Sequence, residues 1–186
     1  MSTFDPHASW LPLREAAAAN DNPLHRQLLT EVANHMEAEI QARHDDLMAT
    51  LTAEPVYHFW RVGPENMVLQ GYEAVSGFYQ QMFTNHGEQF HVVIDRIIVD
   101  DKGVITEGQV RQIYTQDALS AQGIKTVGKQ AVTDSQLWLS NAQLITVWPH
   151  DGQGKLVGED IYFGEDPMTT LTPFAQADLP SYYITA

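Results

Sequence analysis

Apolar positions follow two different periods along the chain. Between Leu24 and Ile40 an apolar residue returns at every fourth position, through Leu28, Val32 and Met36. One such stripe predicts an amphipathic helix of about five turns. It begins at Asn22-Pro23, a capping residue followed by a proline suited to a first turn.

Shorter patterns predict three further helices. Residues 13–20 and 47–51 each fit a short helix, and Pro55 is expected to end the second of these, because proline restricts the residue before it. After Gly71, apolar side chains from Val75 to Phe83 recur with helical spacing. This helix is predicted to stop at Asn85–Gly87.

Most of the remaining chain has the composition of strands. Residues rich in Val, Ile and aromatic side chains predict strands at 56–60, 90–99, 104–114, 137–148 and 156–163. Turns are predicted at Gly63-Pro64 and 100–103, while 115–134 fits either an irregular loop or a frayed hairpin. Hairpin connections indicate an antiparallel sheet, and the leading helices give an α+β class.

The length of 186 residues suits one domain, 1–186, and no linker divides the chain. We expect its core to span about 24–166. The tail, 167–186, contains three prolines and reads as extended. Its aromatic residues are expected to dock on the body of the protein or on a partner chain.

Charge and composition exclude several classes of function. Ten basic residues against twenty-four acidic ones give a net charge of −14, which disfavours nucleic acid and anionic membrane surfaces as partners. No cysteine is present, so thiolate chemistry is excluded. The N-terminus has neither a basic start nor an apolar run, and no window reaches the length of a membrane span. We therefore expect a cytoplasmic enzyme or binding protein.

Three segments resemble one family: 44–57, 71–79 and 147–163, the last reading VWPHDGQGKLVGEDIYF. They are similar to the SnoaL-like branch of the nuclear transport factor 2-like superfamily, over roughly 24–166. The resemblance implies a strongly curved antiparallel sheet that forms a cone with the N-terminal helices around an apolar pocket, often in a homodimer. It implies no cofactor and leaves the chemistry open, because the superfamily includes isomerases, dehydratases, cyclases, epoxide hydrolases and binding proteins.

The ketosteroid isomerase pattern of this superfamily is not matched. His35 stands where that pattern has a helix tyrosine, Phe59 where it has a basic aspartate, and Thr146 where it has a protonated one. Isomerisation of steroids by that mechanism is therefore not expected.

His35 is the first candidate for catalysis. It shares a helix face with Val32 and Glu39, and a histidine titrates near neutral pH, as a general acid or base requires. The alternative is a partly exposed helix histidine that forms a salt bridge with Glu39.

Tyr57, His58 and Trp60 form the second candidate set. Strand alternation places His58 and Trp60 on one face and Tyr57 and Phe59 on the other, and the sequence does not say which face lines the pocket. The alternative is that all are core or interface aromatics. Tyr162 is a further candidate, as a proton donor on the last strand.

A polar row at Glu107, Gln109 and Arg111 lies opposite the strand opened by His91. It forms either the floor of the pocket or an outer face, which is then exposed to solvent or covered in a dimer interface. An epoxide hydrolase would require Arg111 to meet an acid inside the cone.

These observations give one leading hypothesis and one rival. The first is a cofactor-independent isomerase, dehydratase or cyclase acting by proton transfer on a small apolar carbonyl or hydroxylated substrate; the rival is a non-catalytic binding or assembly module. The histidine spacings predict no metal site. Besides the catalytic candidates His35, His58, Tyr57 and Tyr162, the expected pocket-lining residues are Val32, Glu39, Phe59, Trp60, Phe78, Met82, His91, Arg111, Trp138 and Trp148.

Overall fold

The computed structural model describes residues 3–60 and 66–184. Its helices are α1 (Leu11–Ala18), α2 (Pro23–Ile40), α3 (His44–Ala49), α4 (Tyr72–Thr84) and α5 (Gln116–Ala121), with 3₁₀ turns at Pro6–Ala8, Pro167–Thr169 and Gln176–Asp178. Its strands are β1 (Leu51–Trp60), β2 (Met67–Gln70), β3 (His91–Asp100), β4 (Gly103–Tyr114), β5 (Thr126–Val127), β6 (Gln130–Ala131), β7 (Leu137–Pro149), β8 (Leu156–Phe163) and β9 (Thr172–Phe174). The turn predicted at Gly63-Pro64 lies outside the described residues.

Helix α2 begins where its sequence supplies a cap. The Asn22 side chain accepts hydrogen bonds from the backbone N–H groups of Leu24, at 2.9 Å, and His25, at 3.4 Å. Pro23 occupies the first turn, where a missing N–H costs nothing. The apolar stripe, including Leu28 and Val32, is buried where the helix packs against α1, β3 and β4.

Seven of the nine described strands form one mixed sheet in the order β2-β1-β8-β7-β4-β3, with β9 paired to β7, and β5 and β6 pair separately. The α+β class is confirmed, and the sheet is open rather than closed into a barrel. One pairing corrects the expected antiparallel arrangement, because β1 and β8 run parallel. No hairpin joins these two strands, since α4 and four of the sheet's strands, β2, β3, β4 and β7, separate them in the chain.

Glycine at position 158 lets β1 and β8 approach at this parallel pair. Its φ is +150°, and a Cβ atom there would lie 1.8 Å from the carbonyl oxygen of Val56. The register that results places Tyr57 opposite Glu159 and His58 opposite Asp160. Tyr57 and Glu159, from distant parts of the sequence, thus share the inner face of the sheet.

The expectation that Pro55 ends α3 is wrong, because Pro55 lies inside β1. Helix α3 already ends at Ala49, and β1 begins two residues later. The pairing of β1 with β8 shifts register between Leu51 and Val56, which accommodates a residue that has no N–H for the ladder.

The tail is docked on the body of the protein. Strand β9 pairs with β7, Tyr183 packs edge-on against Phe4 with ring centroids 5.6 Å apart, and Tyr182 stacks on His7 at 3.9 Å. The region 115–134, ambiguous in sequence, contains α5 and the small hairpin β5–β6. No helix in the described segments is long and apolar enough to cross a lipid bilayer.

Candidate functional site

A cavity of ≈300 Å³ lies between helices α2 and α4 and the inner face of the sheet. Its walls are mainly aromatic and aliphatic side chains, as is usual for small-molecule sites. Its polar side chains are Glu39, Tyr57, Tyr79, Thr106, Gln112, Thr146 and Glu159. None of its lining residues in the described part of the chain is Lys, Arg or His.

His35 lies directly behind one end of this cavity and is fully buried. Its Nε2 atom is 3.1 Å from Glu159 Oε1, 3.2 Å from the Tyr57 hydroxyl and 3.2 Å from the Tyr79 hydroxyl. These three partners face the cavity, so the histidine connects to it through their oxygen atoms. We call His35, Tyr57, Tyr79 and Glu159, together with Glu39, the cavity floor.

Thr50 fixes the orientation of the His35 ring. The Thr50 hydroxyl donates to the carbonyl oxygen of Leu47 at 2.6 Å, so its oxygen accepts the hydrogen bond of 2.6 Å from His35 Nδ1–H. The Nδ1 atom therefore carries a proton. The Nε2 atom is left to interact with the floor.

One proton must lie between His35 and Glu159. Two lone pairs repel at the 3.1 Å that separates Nε2 from Oε1, so either the imidazole or the carboxyl group is protonated. The Tyr79 hydroxyl is also placed to donate, at 3.1 Å from Glu159 Oε1 and 3.0 Å from the Tyr57 hydroxyl. The floor is a connected network through which a proton can move.

Glu39 adds a second carboxyl group to the floor. One donor atom from each of Glu39, His35 and Glu159 lies within 4.8 Å of the others. Burial and the neighbouring Glu159 raise the pKa of Glu39 well above its ordinary value, and the same two causes raise the pKa values of Tyr57 and Tyr79. All three groups therefore favour their neutral, hydrogen-bond-donating forms.

The family follows from a match over residues 32–140, more than half of the chain, to the model of the SnoaL-like domain. The chain belongs to the SnoaL-like family. No curated protein matches this SnoaL-like protein. The resemblance expected from the sequence is confirmed.

Solved structures agree on the fold. A candidate SnoaL-like polyketide cyclase of Shewanella putrefaciens CN-32 has a TM-score of 0.57 at 12% identity, covering 88% of this chain and 90% of its own. Bal32a, from a soil-derived mobile gene cassette, has a TM-score of 0.55 at 13% identity over 79% and 95%. A candidate SnoaL-like polyketide cyclase of Jannaschia sp. CCS1 has 0.54 at 17% over 78% and 90%. At these identities the likeness concerns fold alone.

The structure brings two of the four catalytic candidates of this SnoaL-like protein together. His35 and Tyr57 meet on the floor, but His58 and Tyr162 lie on the opposite face of the sheet. There the His58 Nδ1 atom is 2.6 Å from Asp160 Oδ1, and its ring stacks on Trp60 with centroids 5.3 Å apart. Tyr162 stacks beside Trp60 and is 42% exposed. Strand alternation explains this, because His58 is one position from Tyr57 and Tyr162 is three positions from Glu159. Residues an odd number of positions apart on a strand point to opposite faces.

Half of the expected pocket-lining residues face the cavity. Those that line it are Glu39, Phe59, Phe78, Met82 and Trp148. The structure places Val32, Trp60, His91, Arg111 and Trp138 elsewhere.

The residues that lie elsewhere have different neighbours. Val32 is buried in the core, and Trp138 packs under α5 against Leu119. His91 and Arg111 pair across β3 and β4 on the outer face. The Arg111 guanidinium there donates to Asn141 at 3.0 Å. Because Arg111 lies on the face opposite the cavity, the arrangement expected of an epoxide hydrolase does not form among the described residues.

Sequence reasoning missed Tyr79 and Glu159 as floor residues. In the sequence, Tyr79 falls within the helical pattern from Val75 to Phe83 and Glu159 within the predicted strand 156–163, and neither pattern distinguishes a site residue. Strand alternation offered a partial signal. With Tyr57 on the inner face of the sheet, the parallel register with β8 places Glu159 beside it on the same face.

The donor atoms of His35, Glu39 and Glu159 are close enough for a metal ion to be considered. However, His35 Nε2 and Glu159 Oε1 already contact each other and Tyr79. Hydrogen bonds therefore link these atoms to one another, and the floor is a network for proton transfer.

Proposed function

We propose that this SnoaL-like protein catalyses proton transfer within a small, uncharged and mostly apolar substrate that contains a carbonyl or hydroxyl group. The reaction is an isomerisation, dehydration or cyclisation that uses no cofactor. One observation carries the proposal: a buried histidine holds a carboxyl group and two tyrosine hydroxyls at the end of an apolar cavity.

Glu159 is the general base in this mechanism. In the form where His35 Nε2 carries the shared proton, Glu159 is an ionised carboxylate that faces the cavity. It accepts a proton from a carbon atom next to the substrate carbonyl. His35 acts as a positioning residue, since it reaches the substrate only through Glu159 and the tyrosines.

Glu39 and the two tyrosines stabilise the oxygen atom on which negative charge develops. Their raised pKa values favour the protonated forms, so each has an O–H group that can donate a hydrogen bond to an enolate oxygen. Two carboxyl groups with different protonation states thus divide the roles of acid and base. For isomerisation, Glu159 returns its proton to another carbon; for dehydration, Glu39 protonates the departing hydroxyl group, which leaves as water.

The charge of the site limits the substrate. Two carboxyl groups lie on the floor, and the described lining contains no basic side chain. An anionic substrate would enter without any opposite charge to offset its loss of hydration. We therefore infer that the substrate is uncharged.

Deuterium exchange tests the proposal without knowledge of the natural substrate. A panel of neutral ketones is incubated with the protein in D₂O, and exchange of the α-protons is followed by NMR. We expect Glu159→Gln to slow the exchange roughly 100-fold or more, because it removes a general base. His35→Ala should also slow it.

His58→Ala is the matched control, because His58 forms its own pair with Asp160 on the outer face. It should exchange at the wild-type rate. Full exchange by Glu159→Gln would refute the mechanism. Ligand binding without any exchange across the panel would favour the rival function, a non-catalytic binding module. A homodimer and a cytoplasmic location remain predictions.

A further inference from the structure

Two threonines face each other on the wall of the cavity, away from the floor. Thr106 of β4 and Thr146 of β7 are direct cross-strand partners. Each is 4% exposed, and both line the cavity. The two side chains are therefore neighbours on one wall of the cavity.

Both hydroxyls keep hydrogen-bonding capacity that the protein does not use. Thr106 Oγ1 accepts a hydrogen bond from Trp148 Nε1 at 3.1 Å, which leaves its own O–H free to donate. Thr146 Oγ1 makes no side-chain hydrogen bond with any described residue. Both threonines line the cavity, so a hydrogen-bond acceptor of a ligand there can receive both unused O–H groups.

We propose that Thr106 and Thr146 form a specificity subsite that binds an uncharged carbonyl or ester oxygen of the ligand. This inference rests on the proposed function, because it concerns the substrate of the same cavity. Two neutral hydroxyl donors suit a neutral acceptor. A carboxylate at that position would be buried near Glu39 and Glu159 without a counter-charge.

The sheet sets the distance between this subsite and the floor. Thr146 pairs with Ile161 across β7 and β8, so Glu159 is its diagonal neighbour. Such neighbours lie roughly 7–8 Å apart. The substrate class is therefore an apolar molecule with two oxygen functions at about this spacing. One oxygen function lies at the floor and the other at the threonine pair.

Two phenols of similar shape test the inference. 4-Hydroxyacetophenone has a carbonyl oxygen opposite its hydroxyl group, and 4-isopropylphenol has a methyl group in its place. We expect wild-type protein to bind the acetophenone more tightly, as measured by titration calorimetry. Thr146→Val should weaken its binding roughly 3- to 10-fold, the usual effect of one hydrogen bond, and change the binding of 4-isopropylphenol less than about twofold.

Thr146→Ser is the matched variant, because it keeps the hydroxyl group that Thr146→Val removes. It should retain the preference for the acetophenone, and circular dichroism should show all variants folded. Equal weakening of both phenols by Thr146→Val, or no preference in the wild type, would overturn the subsite. So would failure of the wild type to bind either phenol.

The binding measurement is separate from the test of catalysis. Discrimination between the phenols in a protein that exchanges no α-protons would support the subsite and reject the proposed function. Exchange that depends on Glu159, without discrimination by Thr146, would do the reverse.

Discussion

Replacing Thr50 by valine tests whether this hydroxyl orients His35. Valine keeps the shape of the side chain but removes the acceptor of the His35 Nδ1–H bond. The Leu47 carbonyl oxygen keeps a partner, since it also accepts from the Thr50 backbone N–H at 3.0 Å. The loss is therefore one buried, unsatisfied donor on a histidine with no solvent exposure.

An unsatisfied donor of this kind costs about 1–3 kcal/mol, and we expect Thr50→Val to lower the free energy of unfolding by that amount. Urea titration measures it. The imidazole should also lose its preference for a proton on Nδ1, which ¹⁵N NMR of the histidine ring reports directly.

Two variants serve as controls for Thr50→Val. Thr50→Ser keeps the hydroxyl and should stay close to the wild type in both measurements. Thr84→Val removes an exposed hydroxyl that donates to the Gln80 carbonyl oxygen, and should change stability by less than about 0.5 kcal/mol. A Thr50→Val protein with wild-type stability and an unchanged tautomer would refute the assigned direction of the hydrogen bond.

Two further predictions concern the framework of the site. Gly158→Ala places a Cβ atom 1.8 Å from the Val56 carbonyl oxygen, so it should destabilise the protein by about 3 kcal/mol or more, and a melting temperature equal to wild type would contradict this. Burial, reinforced by Arg111, lowers the pKa of His91 to about 4 from 6.5, so stability present above pH 6.5 is lost as the pH falls towards 4. Urea titrations at pH 7 and pH 4 measure this drop in the free energy of unfolding. The drop should be roughly 2–3 kcal/mol smaller in His91→Gln than in the wild type, and an identical pH dependence in both proteins would contradict the prediction.

Local patterns in the sequence predicted most of the framework. The four-residue repeat that ends at Ile40 gave α2, and β-branched composition gave β8 with the bounds Leu156–Phe163 that the structure has. Strands β2 and β9 were not predicted. Both are short, with four residues in β2 and three in β9, and β9 is defined by pairing with β7, which no local pattern records.

The site was predictable only where helix geometry was sufficient. His35 and Glu39 lie four residues apart, so one turn of α2 brings them to the same end of the cavity. Alternation could not decide between Tyr57 and His58, because a period of two gives two faces without saying which is buried. His35 and Glu159 are 124 residues apart, and they meet because the parallel register of β1 with β8 places Glu159 beside Tyr57, which His35 also contacts.

That parallel pair also determines when the site can form during biosynthesis. Closing a loop of about a hundred residues between β1 and β8 is entropically costly, and contacts across long loops slow folding. A nascent chain can already build α2 and the β3–β4 hairpin, yet it lacks Glu159 until β8 has been synthesised. The protein therefore gains its floor last, and a chain truncated before Leu156 would lack both Glu159 and the strand that joins β1 to β7.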